Sequence, residues 1–190
     1  MKNKMLKIVV LVMLLASLVS ISVSNPVSAK TSTVKELKHI KNLAGKGTTI
    51  YAKNLEVGDG GDQVKKVFGS NKSIVRYHHG INAPYPKENL IFHLGNKIGN
   101  KPKLALIKEN KILSIQVNFP KKKSYSYAEI KKVFGKHIHQ YVNAINGQFA
   151  ISYIVKGKFV YFIDSSRKYN PNKINNPKNS TRFQSYSVDF

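Results

Sequence analysis

One hexapeptide occurs twice in this chain, and it limits the fold more than any other feature. Val64-Lys-Lys-Val-Phe-Gly69 returns as Ile130-Lys-Lys-Val-Phe-Gly135, 66 residues further on. At helical spacing Val64, Val67 and Phe68 share one face, as do Ile130, Val133 and Phe134. Asp62 and Ser126 stand where N-caps belong, and Ser126 is boxed with Glu129. Gly69 and Gly135 stand where a helix ends in a residue with positive φ. Helices this short are marginal alone and need an apolar surface to lie on.

The segments after each glycine supply that surface. Four strand-like runs follow Gly69: Ser73–His79, Asn89–Leu94, Lys103–Lys108 and Ile112–Phe119. Four more follow Gly135: Ile138–Ile145, Phe149–Val155, Lys158–Ile163 and Arg182–Phe190. Most alternate apolar with polar residues, as in Phe149, Ile151, Tyr153 and Val155, or Tyr186 and Val188 against Phe183, Ser185 and Ser187. A period of two suits half-buried antiparallel strands. Turn chemistry separates them, including Gly95-Asn96, Asn146-Gly147 and Lys156-Gly157. The pattern predicts an α+β fold, a tandem repeat of helix plus four-stranded antiparallel sheet. An extra N-terminal helix comes first: Val34, Leu37, Ile40, Leu43 and Ala44 recur at helical spacing, Thr33 and Glu36 have capping-box spacing, and Gly45 closes the run. The expected divisions are 30–54 for that helix and its link, 55–119 and 120–190 for the repeats, with Pro120–Ser124 as linker and both halves free to form one domain. Lys168–Ser180, rich in asparagine, reads as an exposed, poorly ordered loop.

Residues 1–29 read as a cleavable export signal. Lys2, Lys4 and Lys7 precede an apolar run from Ile8 to Val23, and Val27-Ser28-Ala29 offers small residues for cleavage after Ala29. The run falls short of the roughly 20 apolar residues that span a bilayer. The expectation is a secreted protein, extracellular or loosely held at the cell wall, with no transmembrane segment after cleavage. The chain has no cysteine, which excludes disulfides, thiolate metal sites and a cysteine nucleophile. Its net charge is +23, and removing the three leader lysines leaves +20. A field of that sign attracts polyanions. Arginine is confined to Arg76, Arg167 and Arg182, so diffuse attraction is expected rather than specific nucleic-acid readout.

The helix Val34–Ala44, the step Leu55-Glu-Val-Gly58, the helix end Val64–Gly69 and its counterpart Ile130–Gly135 resemble the secreted YjgB-like family of Bacillus and relatives, a domain of unknown function. The resemblance implies a secreted module with a helix, a second helix and sheet, then a third helix and final sheet. It supplies no catalytic residues. The family's proline after the helix-ending glycine is replaced here by Ser70 and Lys136. The architecture is also similar to the tandem helix-plus-sheet repeats of the β-lactamase inhibitor protein, an analogy of fold alone.

Chemical motifs are few. Gly-x-Ser-x-Gly, His-Glu-x-x-His and a phosphate loop are all missing from the sequence. His137 and His139, two apart on an extended segment, would share a face, but acids are scarce and no metal site is expected. Glu56, Asp59 and Asp62 miss the calcium-loop spacing. No cofactor is expected. Tyr85, Tyr125, Tyr127, Tyr141, Tyr153, Tyr161, Tyr169 and Tyr186 are interspersed with lysines. Basic residues beside tyrosines suit a binding surface, for which Arg76, His78, Tyr85, Lys121, Lys122, Lys123, Tyr125, Tyr127, Tyr153 and Tyr161 are the candidates. The expected function is a non-enzymatic module that binds an anionic cell-wall polymer or an extracellular acidic protein. The alternatives are a secreted hydrolase or nuclease, using His78, His79, Glu88 and Arg76, and an inhibitor of an extracellular protein.

Overall fold

A computed structural model of the chain describes residues 26–71, 73–77, 80–95, 107, 109–121 and 123–190. The leader up to residue 25, the histidines at 78 and 79, Lys122 and nearly all of the expected strand Lys103–Lys108 lie outside the described residues. The chain divides into two units, Met1–Ser32 and Thr33–Phe190. The core, the sheet and the grooves described below belong to the second. No described helix is long and apolar enough to cross a membrane.

Helix α1 runs Pro26–Ala44, so Thr33 is not its cap. Proline's fixed φ suits a first helical position, and no glycine or second proline interrupts the stretch down to Thr33. The helix therefore starts well before the expected capping box, and Glu36 instead pairs with Lys123. Leu37, Ile40 and Ala44 are buried, as their spacing predicts.

Helices α2 (Gly61–Phe68) and α3 (Tyr127–Phe134) contain the two hexapeptides. Their starts differ. Ser126 and Glu129 form the expected box, with Glu129 Oε2 accepting from the Ser126 N–H at 2.7 Å and Ser126 Oγ from the Glu129 N–H at 3.3 Å. At α2 the cap is Gly60 without a side-chain bond, and Asp62 lies inside the first turn. Gly61 is needed there: a Cβ would sit 1.8 Å from the Ile107 carbonyl oxygen, and its N–H donates to the Asn110 carbonyl at 2.7 Å. The ends match. Gly69 (φ +82°, ψ −175°) and Gly135 (φ +87°, ψ −157°) share a region essentially restricted to glycine. Their N–H groups donate to Lys65 O at 2.8 Å and Lys131 O at 2.9 Å.

Strands β1 (Val75–Tyr77), β2 (Gly80–Tyr85), β3 (Leu90–Gly95), β4 (Lys111–Asn118), β6 (His139–Val142), β7 (Phe149–Val155), β8 (Lys158–Asp164) and β10 (Ser185–Asp189) form one antiparallel sheet in the order β1-β2-β3-β4-β10-β8-β7-β6. A separate two-residue ladder joins β5 (Tyr125–Ser126) to β9 (Arg182–Phe183). The last strand of each half thus meets the other at the centre, Val117 opposite Tyr186 and Ile115 opposite Val188. Strand β2 was not among the expected strands, and its asparagine and proline are residue types that strands disfavour. Its proline is tolerated because β1 pairs only as far as Asn82, leaving Pro84 without a strand partner there; its carbonyl accepts from Asn71 Nδ2 instead. The expected alternation through Arg182–Phe190 also breaks. At Gln184 the chain steps from one ladder to the other, so Phe183 and Tyr186 both enter the core.

Alternation gives the sheet two unlike faces. On one, Phe92, Ile115, Val188, Phe162 and Ile151 are buried. Phe68 of α2 reaches Phe92 (ring centroids 5.4 Å) and Phe134 of α3 reaches Phe162 (5.1 Å), so both helices lie on this face. The hydrophobic cluster is continuous across both halves. The registers send Asn82, His93, Gln116, Ser187, Tyr161 and Tyr141 to the opposite face.

Candidate functional site

Four of the candidate tyrosines are interior residues and cannot form a binding surface. Tyr85, Tyr125, Tyr127 and Tyr153 are all buried. Tyr85 and Tyr153 pack under the helices. Tyr125 meets Phe119 edge-on (4.8 Å), and Tyr127 bonds the His137 ring at 2.8 Å. Each ring is drawn inward by its large apolar area, whatever lysines adjoin it in sequence. Burial raises the Tyr125 and Tyr153 hydroxyls far above the ordinary tyrosine range.

Of the lysine run, Lys122 lies outside the described residues. Lys121 is exposed, whereas Lys123 is paired with Glu36 and lies over the Tyr125 ring. Arg76 is exposed on edge strand β1. It stands opposite Ile81, near the start of β2, while Glu88 follows the end of β2. About four residues of strand, roughly 13 Å, lie between Ile81 and Tyr85, so Arg76 and Glu88 do not converge on one reacting centre. His137 is held by Tyr127 and His139 is exposed on β6; no group of three or more metal-type side chains occurs among the described residues. Tyr161 alone of the proposed tyrosines reaches the open sheet face, half-buried beside Tyr141 at 5.9 Å.

Cations gather instead where none was expected, around the asparagine-rich loop. Arg167, Lys168, Lys173, Lys178 and Arg182 line a basin of about 820 Å³. The loop is exposed, as its composition predicts, and pinned at both ends. Near its start the Tyr169 N–H donates to Gly147 O at 2.8 Å, and the Tyr169 ring lies 5.0 Å from Phe149. At its far end the Ala128 N–H donates to Asn179 O at 3.1 Å, and the Tyr127 N–H donates to Thr181 O at 2.7 Å. Arg182 is braced on Ser124, donating from Nε to Oγ at 2.7 Å and from Nη2 to the carbonyl at 2.6 Å. The one acid lining the basin, Asp164, is buried, and both its oxygens are engaged by Ser166 and Tyr169. Arg167 lies over the Tyr169 ring at 4.6 Å.

A second groove, of about 580 Å³, crosses the open face of the sheet. Asn82, His93, Ser114 and Asp189 stand in one row across β2, β3, β4 and β10. His93 Nδ1 meets Asn82 Oδ1 at 2.6 Å, and Ser114 Oγ donates to Asp189 Oδ1 at 2.6 Å. This order is not a catalytic triad, because the serine hydroxyl is turned to the carboxylate rather than to the imidazole. Burial lowers the His93 pKa and raises that of Asp189, so desolvation disfavours charge on both. Nothing in the sequence sets His93 apart from the other five histidines. The polar groove is not written as a motif, since it is assembled from residues far apart in the chain; the cations of the basin all fall within Arg167–Arg182 but follow no regular spacing.

No family model matches the sequence, and no curated protein matches it. The fold does have a solved counterpart, the crystal structure of a DUF4309 family protein, YjgB from Bacillus subtilis. The two superpose with a TM-score of 0.58 at 10% sequence identity, covering 82% of this chain and 96% of that one. The chain has the YjgB-like fold. That agreement concerns architecture and carries no activity with it.

Proposed function

We propose that the protein is an exported binding module that holds an anionic polymer of the cell surface in the basin formed around residues 164–184. The observation that carries this reading is electrostatic. Five cations converge on the basin, while its acid is buried and already hydrogen-bonded. Lysine supplies three of the five. Lysine is a compact point charge that suits repeated phosphate groups better than planar, sequence-specific recognition. Asparagine amides and the hydroxyls of Ser180 and Thr181 between the cations add donors for phosphate or hydroxyl oxygens. The net charge of +23, or +20 once the three leader lysines are removed, steers such a polymer toward the chain from a distance.

The test is sedimentation of the purified protein with isolated bacterial walls, with and without teichoic acid, across a salt series. Retention should require the polymer and fall steeply with salt. Lys173 and Lys178 are exposed, and reversing both to glutamate should abolish retention without loss of fold. Retention indifferent to polymer, salt and the double reversal would exclude the basin as the binding site.

A further inference from the structure

The groove on the open sheet face has a chemistry opposite to that of the basin. The chain carries 32 lysines and arginines, and none of those among the described residues lines this groove. Its polar lining is uncharged apart from Asp189 and His93. Five amide side chains converge there: Asn82, Gln116, Asn143, Asn146 and Gln148. Each amide offers donors and an acceptor on one rigid plane. Several are held in place beforehand. Gln116 Nε2 donates to Asn118 Oδ1 at 2.9 Å, Asn146 Nδ2 to Gln148 Oε1 at 3.0 Å, and the Gln148 N–H to Asn146 Oδ1 at 3.0 Å. Between them lie apolar patches, Ile91, Leu113, Ala150 and Ile163, with Tyr141 at the rim. Tyr141 is 42% exposed, so its ring can be covered by a ligand. Its hydroxyl is pushed up to about 12, mainly by burial, and stays a neutral donor.

The lining excludes the simpler ligands. An anion would meet the Asp189 carboxyl and no cation. A metal ion would find a single carboxyl, one oxygen of which already accepts from Ser114, in a strongly cationic molecule. A purely apolar ligand would strand five amides without water. What remains is a molecule that carries donors and acceptors around its edge and C–H groups on its faces, with no net charge. The volume of about 580 Å³ falls within the usual range for small-ligand sites, about 300–1,000 Å³.

We propose that this groove is a second, separate binding site, and that its ligand is a neutral sugar unit of a glycan. The amides and Ser187 take the sugar hydroxyls, and Tyr141 with the floor of Ile91, Ala150 and Ile163 takes its C–H face.

The experiment is ¹⁵N NMR titration of the full chain with the N-acetylglucosamine hexamer and the glucose hexamer, each beside its monosaccharide. Polyphosphate serves as the anionic control. A neutral hexamer should shift the side-chain amide signals of Asn82, Gln116 and Gln148, with an affinity that is flat across the salt series. Tyr141→Ala, at an exposed position that leaves the fold intact, should weaken that binding at least tenfold, as should Gln116→Leu. The Lys173/Lys178 reversal should leave it unchanged, which separates this site from the basin. A hexamer binding more tightly than its monosaccharide marks a polymeric source, and equal affinities mark a free sugar; both sustain the proposal. It is overturned if no neutral sugar shifts these amides, or if polyphosphate alone does.

Discussion

In the first half, Phe68 of α2 sits against Tyr85 of β2 and Phe92 of β3, at centroid separations of 5.2 and 5.4 Å. In the second, Phe134 of α3 sits against Tyr153 of β7 and Phe162 of β8, at 5.2 and 5.1 Å. The two strand pairs are also alike, Tyr85–Phe92 at 5.8 Å and 83°, Tyr153–Phe162 at 6.0 Å and 84°. A lysine lies over each helix phenylalanine, Lys53 at 4.8 Å and Lys41 at 5.5 Å. The ring separations match in both halves, although Phe134 meets Phe162 at 80° where Phe68 meets Phe92 at 50°, and the polar bonds around them differ. Tyr85 donates its hydroxyl to Gly69 O at 3.1 Å, tying down the end of α2. The Tyr153 hydroxyl is buried with no partner among the described residues, and the end of α3 is held instead by Lys41 Nζ, which donates to Val133 O at 2.9 Å. Ring packing therefore positions each helix, and the hydrogen bonds are adjusted locally afterwards.

The strongest test of that equivalence removes the strand phenylalanines. Phe92→Ala and Phe162→Ala should each cost about 3–5 kcal/mol in chemical denaturation. Phe162 belongs at the upper end, since it also contacts Phe183 and Tyr186. Because the hydrophobic cluster spans both halves, each variant should lose the whole fold in one transition. Two separated transitions for either variant would mean that the halves stand independently.

The helix starts should respond unequally. Gly61→Ala drives a Cβ into the Ile107 carbonyl and should cost at least the upper part of the overpacking range, about 3 kcal/mol. Ser126→Ala removes one capping bond and should cost about 1 kcal/mol. If the two losses were equal, close backbone approach would not be what fixes α2.

Much of the α+β element pattern was legible. The repeated hexapeptide marked both helix faces and both terminal glycines, and alternation marked most strands. The element class follows from local periodicity, which a sequence displays directly. What escaped was set by long-range pairing. Pro84 is tolerated only because β1 stops short of it, and the step at Gln184 follows from two ladders competing for one segment. The candidate surface fared worse. Tyrosine beside lysine in sequence says nothing about which face each takes, and Tyr85, Tyr125, Tyr127 and Tyr153 all turned inward. The cations of the basin lie within Arg167–Arg182, a stretch whose asparagine content read only as an exposed loop, whereas the polar groove spans Asn82 to Asp189 and has no local signature.

The finest test exchanges the two tyrosine hydroxyls for hydrogen. Tyr85→Phe keeps the ring in its corner but removes the bond to Gly69 O. A net loss of about 0.5–1.5 kcal/mol is expected, since that carbonyl also loses its donor. Tyr153→Phe removes a buried hydroxyl that has no partner among the described residues, so no hydrogen bond seen there is lost. Its burial raises the Tyr153 pKa well beyond the ordinary range, the direction expected of a phenol shielded from water. That substitution should leave stability unchanged or raise it by about 1 kcal/mol. The sign of the difference is the informative quantity, because both variants keep the same ring in nearly the same aromatic frame. A loss at Tyr153 as large as that at Tyr85 would show that its hydroxyl bonds to a carbonyl or to ordered water, and the polar contrast between the halves would disappear. A loss at Tyr85 alone would place the whole difference on the helix exit at Gly69.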